Sequence, residues 1–401
     1  MLYWLGVVNR LPTEQSLLAW DANLFRQIKE GGYPTAQSGL NAFFPLFPYT
    51  WRLLQVGPIG ISAFNSACAF AGVGILSWAF QLSNRQILLL LSVPLMMFTA
   101  VPYGEGMFYL FGGMLLAGLH RERLWLTLVG LLGCCLTRSA ATLFVPAYIF
   151  AELLSWMPFR SGWRLLRNLA TGLFAIAAAL GSVMLMQYKQ HGDPLAFYKV
   201  HALWRHVYKI PTWPLRSSAG FDVHWLDALG LLIALLAIVA CAALGIAWLV
   251  SVLRSQPENR KKVSKAVLFC LGYSAGAGYF ILFYQAGDIV GMSRYILATP
   301  FFGVLIWQIG QQRLAYWAWA LMGIACMVLA RASGVPQYVD GFSSSEAVTY
   351  FLFFAAYIAA YPLTTPSNSK WYRELAVGLY LLNLFWGMYF YNQFLNFFWV
   401  N

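Results

Sequence analysis

Charge is what this sequence has least of. Asp, Glu, Lys and Arg make up only 10% of the 401 residues, 60% are hydrophobic, and the mean hydropathy is +0.63. That balance excludes a water-soluble globule of this size. Apolar alternation is also missing: the hydrophobic runs are long and continuous, which excludes a transmembrane β-barrel and leaves helices. No cysteine pattern suits a metal, since Cys68, Cys134, Cys135, Cys241, Cys270 and Cys326 all fall in apolar runs and read as small core residues. His191, His201, His206 and His224 share one region at irregular spacings without a carboxylate cluster, so no metal site is legible and no cofactor is expected. A glycine-rich nucleotide loop is absent too; "GYSAGAG", Gly272 to Gly278, lies inside an apolar run, where small residues allow close helix packing. With no soluble domain, internal repeat or low-complexity tail, one membrane domain is expected over residues 1–401.

What is present is a series of runs near bilayer length. Spans are expected at 57–80, 87–101, 105–119, 168–189, 228–253, 266–286, 295–310, 314–330, 347–362 and 374–391. Leu124 to Phe150 begins and ends beside basic loops, and a turn near Thr137-Arg138-Ser139 leaves about 12 residues per arm, so a pair of short or re-entrant helices is expected there. Met1 to Val8 is too short to span, and Arg10, Pro12 and Glu14 interrupt its continuation. The expectation is therefore no first transmembrane helix and no cleavable signal peptide, with either a short interfacial start outside or a late start.

Basic residues orient the bundle. Arg85, Arg121, Arg123, Arg160, Arg164, Arg167, Arg254, Arg260, Lys261, Lys262, Lys265, Arg313, Lys370 and Arg373 gather in one set of loops, where the acids are only Glu122, Glu152, Glu258 and Glu374. This asymmetry is the positive-inside signature and accounts for most of the formal +12. Its implied partners are membrane lipids with anionic headgroups, not nucleic acid. The other, external face then carries a first loop over 20–56, a large loop over 190–227, and the segments 101–105, 287–294 and 331–346.

The first loop holds "WDANLFRQIKEGGYPTAQSGLNAFFPLFP", Trp20 to Pro48. Asp21 sits where a helix N-cap would sit, Ala22 to Glu30 reads as a short interfacial helix with Leu24, Phe25 and Ile28 on one face, and Gly31-Gly32 is a stop. Helix capping is one reading of Asp21. Against it, Trp20 and the "FFPLFP" run pin both ends of the loop at headgroup depth, where a fixed carboxylate can act as a general base toward something delivered by a lipid.

These residues carry a resemblance. "WDANLFRQIKEGGY" with "AFFPLFP" resembles the first external loop of the PIG-V-like mannosyltransferases, the family of GPI mannosyltransferase II and its bacterial relatives. "PLMMFTAVPYGEGMFYLF" is similar to a second family motif, with Gly104 and Gly106 where small hydroxyl residues are usual. "LTRSAATLFVP", "HGDPLAFYKVHALW" and "GMSRYILATPFF" follow in the family's order. The resemblance implies an all-α polytopic GT-C-type bundle of about 10–13 transmembrane or re-entrant helices with external catalytic loops. It further implies transfer of a sugar, mannose by family, from a polyprenyl-phosphate carrier to a glycan, glycolipid or protein acceptor on the non-cytoplasmic face, with Asp21 as base.

Candidate roles follow from that chemistry. Arg294 at the mouth of a span is the first choice for the carrier phosphate and Arg138 the second, because a guanidinium holds a phosphate bidentately and stabilises developing charge. Each arginine can instead pair with a carboxylate, and Asp288 is near enough to Arg294 in sequence to be that partner. Glu105 reads either as a ligand of sugar hydroxyls or as the cap of the following helix. Asp193 reads as a binding or a turn residue. Trp20, Tyr103, His201, Trp204 and Tyr295 complete the candidate substrate contacts, and His206, Tyr208 and Trp213 extend the aromatic stretch, which reads first as an interfacial belt and second as a surface for sugar rings or the lipid tail. A transporter or flippase and a non-catalytic polyprenyl-lipid-binding subunit are the other classes. The first is disfavoured because no matched pair of broken apolar segments is visible. Absence of Asn-x-Ser/Thr sites and short connections point to a bacterial inner membrane with the active face in the periplasm or outside; the alternative is the endoplasmic reticulum membrane with a lumenal site.

Overall fold

The computed structural model describes residues 3, 6, 8–139, 141–156, 162–204, 208–212, 215, 221–253, 263–285, 287–310 and 370–400. All regular elements among the described residues are helices, and none is a β-strand. Four of them are long and apolar enough to cross a membrane: Pro58–Phe80, Gly162–His191, Val223–Leu253 and Lys265–Tyr284. Together with the composition, this makes the chain an all-helical membrane protein. The spans expected at 314–330 and 347–362, with Cys326, lie outside the described residues.

In chain order the helices are α1 (Asp21–Gly31), α2 (Leu46–Leu54), α3 (Pro58–Phe80), α4 (Asn84–Ser92), α5 (Glu105–His120), α6 (Leu124–Thr137) and α7 (Ala141–Ser155). After them come α8 (Gly162–His191), α9 (Ala196–Lys199), α10 (Phe221–Leu253), α11 (Lys265–Tyr284), α12 (Met292–Ile296), α13 (Pro300–Gly310) and α14 (Lys370–Leu395). The short helix expected in the first loop is α1, stopped as expected where Gly32 turns to φ +73. Its carbonyl end is closed by Arg52 of α2, whose Nη2 donates to Ile28 O at 2.8 Å and whose Nε donates to Lys29 O. The expected pair of short helices is α6 and α7, of 14 and 15 residues and turning at Arg138 and Ser139. At about 1.5 Å per residue each is shorter than the hydrocarbon thickness.

Two expected spans are corrected. The run 87–101 is not one helix but α4 followed by a 3-10 helix, Pro94–Ala100, and the run 295–310 is divided between α12 and α13, with Pro300 opening the second. Proline is the cause in both: it lacks an N–H and drives the preceding residue out of helical geometry, as at Val93, where ψ is 124°. Carbonyls freed in this way need donors in an apolar setting. Asn65 and Ser66 of α3 supply them, Asn65 Nδ2 donating to Val101 O at 3.0 Å and to Phe98 O at 3.3 Å, and Ser66 Oγ to Thr99 O at 3.0 Å.

Close approach of α3 and α5 sets this geometry. A Cβ on Gly72 would stand 2.7 Å from Tyr109 O, one on Gly113 2.8 Å from Gly72 O, and one on Gly106 would collide with the Asn65 carbonyl and amide oxygens. Position 106 therefore has no room for a side chain. Gly106→Ser is expected to destabilise the protein by about 1–3 kcal/mol through overpacking. Thermal unfolding of the purified protein in detergent would read this as a lowered midpoint; an unchanged midpoint would contradict the tight crossing.

Candidate functional site

Four charged side chains from four elements meet at one end of the bundle. Asp21 opens α1, Glu105 opens α5, Arg138 ends α6 and Arg294 lies in α12. Arg294 is the hub. Its Nε and Nη2 both lie 2.6 Å from Glu105 Oε1, and its Nη1 donates to Asp21 Oδ2 at 3.2 Å. Arg138 approaches the same Glu105 oxygen with Nη2 at 3.7 Å, while its Nη1 is buried without a hydrogen-bond partner. Exposure grades the four: the Glu105 side chain is 2% exposed, the two arginines 15% each, and Asp21 25%. Glu105 is therefore the buried counter-ion of two guanidinia, and Asp21 is the carboxylate that reaches solvent.

The arginines rest on aromatic faces. Arg294 stands 4.8 Å from the Phe98 ring centroid and 4.9 Å from that of Tyr103, and Arg138 stands 4.7 Å from Tyr295 and 5.3 Å from Phe108. Tyr103 and Phe98 are themselves stacked, with centroids 5.2 Å apart. Burial, and then the Asp21 carboxylate, hold the Tyr103 phenol well above its ordinary pKa, so it stays protonated. For Arg294 burial works toward loss of charge, but Glu105 and then Asp21 override it and hold its pKa above the usual arginine value. The site at rest thus carries two positive and two negative groups in a partly dry setting.

Asp21 is not the cap of α1. It is the first helical residue, and the N-cap is Trp20, which provides no side-chain capping bond. Trp20 holds φ 52° and ψ −125°, a conformation that costs a non-glycine residue about 1–3 kcal/mol and marks functional positions when the surroundings enforce it. Here the chain end enforces it: Trp20 Nε1 donates to Phe398 O at 3.0 Å, and its ring meets that of Trp399 edge-on at 4.7 Å. The Asp21 carboxylate meets Arg294 Nη1.

The other expected residues divide. Tyr295 and Tyr103 belong to the cluster as aromatic supports. Asp193 is occupied as a turn residue, with Oδ1 accepting from Leu195 N at 3.0 Å and Oδ2 2.8 Å from Lys199 Nζ. Its pKa is lowered by the Lys199 hydrogen bond first and the Leu195 N–H second. His201 is half-buried in the short helix Val200–Trp204. The side chain of Trp204 and the residues His206 and Trp213 lie outside the described residues. Tyr208 packs on α11, stacked on Phe283 at 5.6 Å. Among the described residues no three His, Cys, Asp or Glu side chains converge as a metal site would require, and five cysteines are free thiols. Asp288 accepts from Val290 N at 3.1 Å; the ion partners of Arg294 are Glu105 and Asp21.

Two positioning features were not anticipated. Asp227 of α10 is fully buried and accepts from Ser293 N at 2.9 Å and from Ser293 Oγ at 2.5 Å, fixing the start of α12 one residue before Arg294. Its place at the edge of an apolar run was the available signal. Second, the first loop is tied to the end of α8: Gln190 Oε1 accepts from Tyr33 N at 2.8 Å, Gln187 Nε2 donates to Asn41 O at 3.2 Å, and His191 Nε2 lies 3.2 Å from Asn41 Oδ1. The loops at 20–56 and 190–204 therefore form one cover beside the charged cluster. No family model, curated protein or solved structure matches the chain.

Proposed function

We propose that the protein is a membrane glycosyltransferase of GT-C type that moves a sugar, mannose by the resemblance of its motifs, from a polyprenyl-phosphate carrier to an acceptor hydroxyl at the non-cytoplasmic surface. The observation that carries the reading is the buried, unpartnered Nη1 of Arg138 beside the Arg294–Asp21–Glu105 cluster. A buried donor without an acceptor is costly, and a phosphate oxygen would satisfy it. Arg294 has its donors engaged by two carboxylates, so Arg138 is the first phosphate contact and Arg294 the organiser of the site.

The reaction follows from these parts. The acceptor oxygen attacks the anomeric carbon, the bond from that carbon to the phosphate oxygen breaks, and polyprenyl phosphate leaves with the electron pair. Arg138 stabilises the charge that develops on it. Asp21 takes the acceptor proton. At rest Asp21 is bound to Arg294, but at 3.2 Å it is held less closely than Glu105 at 2.6 Å. An incoming phosphate that competes for Arg294 releases Asp21 before it releases Glu105, which couples donor binding to freeing of the base. The carboxylate and two guanidinia provide base and charge stabilisation, and the donor is a substrate rather than a cofactor. The acceptor is a glycan, a glycolipid or a protein, and the membrane is a bacterial inner membrane with the site in the periplasm or outside.

A transport reading is favoured by one feature: both proline-broken segments reach the charged cluster, one through Phe98 under Arg294 and the other through Arg294 itself, as discontinuous helices reach the sites of secondary transporters. One experiment separates the two. Radiolabelled polyprenyl-phosphate mannose is added to membranes carrying the native protein or Arg138→Gln at matched levels, and label is followed into lipid, glycan and protein fractions. Native protein is expected to move label into one fraction, and Arg138→Gln to slow this by about 100- to 1,000-fold, the usual cost of removing one donor to a developing negative charge. Label that only crosses the membrane, still attached to its carrier, would favour transport.

A further inference from the structure

A cavity of about 500 Å³ lies away from the charged cluster, at the opposite and basic pole of the bundle. It is formed where α5 and α7 end and where α6, α8 and α11 begin. Its floor is the ion pair of Lys265 Nζ with Glu152 Oε2 at 2.7 Å, to which Asn168 Nδ2 also donates at 3.3 Å. Those two charges cancel. The wall from α8 carries Arg164 and Arg167, both exposed and neither in an ion pair among the described residues. Trp156, also in the lining, has a buried Nε1–H without an acceptor. Ser264, before α11, does not cap that helix but lies 3.2 Å from His120 Nδ1. With Glu122 on the rim, the lining holds three cations and two anions, and the guanidinia of Arg164 and Arg167 are donors without an ion pair among the described residues.

We propose that this cavity binds the phosphate group of an anionic phospholipid. Two guanidinia without ion-pair partners among the described residues suit a phosphate diester, which offers oxygens and one negative charge. Beside the two arginines on α8, Trp163 and Leu166 are 71% and 58% exposed, a pairing of basic and large apolar side chains that belongs at headgroup depth. That rim favours a lipid over free phosphate. Binding would clamp the ends of five helices, so its effect is on stability, and it stands whether or not the transferase reading does.

The test uses the full chain purified in a neutral detergent, with thermal unfolding and native mass spectrometry as readouts. Phosphatidylglycerol is expected to raise the midpoint and to remain as a retained adduct, phosphatidylcholine to do neither, and Arg164→Gln/Arg167→Gln to weaken the phosphatidylglycerol effect at least tenfold. Arg85→Gln, a basic change at the start of α4, is expected to leave that effect intact. An equal response to phosphatidylglycerol in native protein and the double variant would overturn the site. Inorganic phosphate that stabilises equally well and displaces the lipid would overturn the lipid assignment.

Discussion

Asp21→Asn is expected to slow sugar transfer by about a hundredfold to ten-thousandfold, the range that a positioned general base contributes, while leaving the protein folded. The two effects separate because of how Asp21 is held. Its carboxylate is a quarter exposed and meets Arg294 through a single contact of 3.2 Å. Asparagine preserves an oxygen acceptor there, and Arg294 keeps its two closer contacts to Glu105. A partly exposed pair of this kind contributes about 1 kcal/mol or less, so the unfolding midpoint should fall by only a few degrees. Loss of the proton acceptor has no comparable substitute in the cluster, since Glu105 is buried beneath both arginines. Initial rates with labelled donor, in membranes with matched amounts of each protein, decide it: equal rates would remove Asp21 as the base.

Where the sequence was legible, local rules were sufficient. Gly31-Gly32 stops α1, the twelve-residue arms around Arg138 become α6 and α7, and the two arginines singled out meet at Glu105 in one charged cluster. Proline breaks were visible as letters but were overridden by the length of the apolar runs that contain Pro94 and Pro300; hydropathy averages over a break that backbone geometry cannot ignore. Partner choice was not legible at all. Asp288 is six residues from Arg294, yet the partner that the fold supplies is Glu105, 189 residues away. The same applies to Asp227 with Ser293 and to Trp20 with Phe398, both determined by how helices return to one end of the bundle. A local reading offered capping as one account of Asp21 and leaned to catalysis on the flanking aromatics; only the tertiary contact shows that its side chain leaves its own helix.

Glu105→Gln is expected to be the most destabilising single change in the cluster. The native carboxylate is 2% exposed and serves two guanidinia at once. Glutamine fits the space but removes the negative charge, leaving Arg138 and Arg294 as two cations with only the partly exposed Asp21 to balance them. Breaking a buried ion pair from one side costs about 3–5 kcal/mol, well above the loss expected for Asp21→Asn. The cost should be recoverable. Because the penalty is an uncompensated charge rather than a lost shape, adding Arg138→Gln to Glu105→Gln should restore part of the stability. The double-mutant cycle should then show a coupling of about 1–3 kcal/mol. Thermal unfolding of the four proteins in one detergent measures this directly. A double variant no more stable than Glu105→Gln alone would mean that Glu105 acts through Arg294 only, and that the 3.7 Å approach of Arg138 carries no energy in the resting protein. Restoration would tie the open Nη1 of Arg138 to the same charge balance, in which a phosphate can take the place that Glu105 only partly fills.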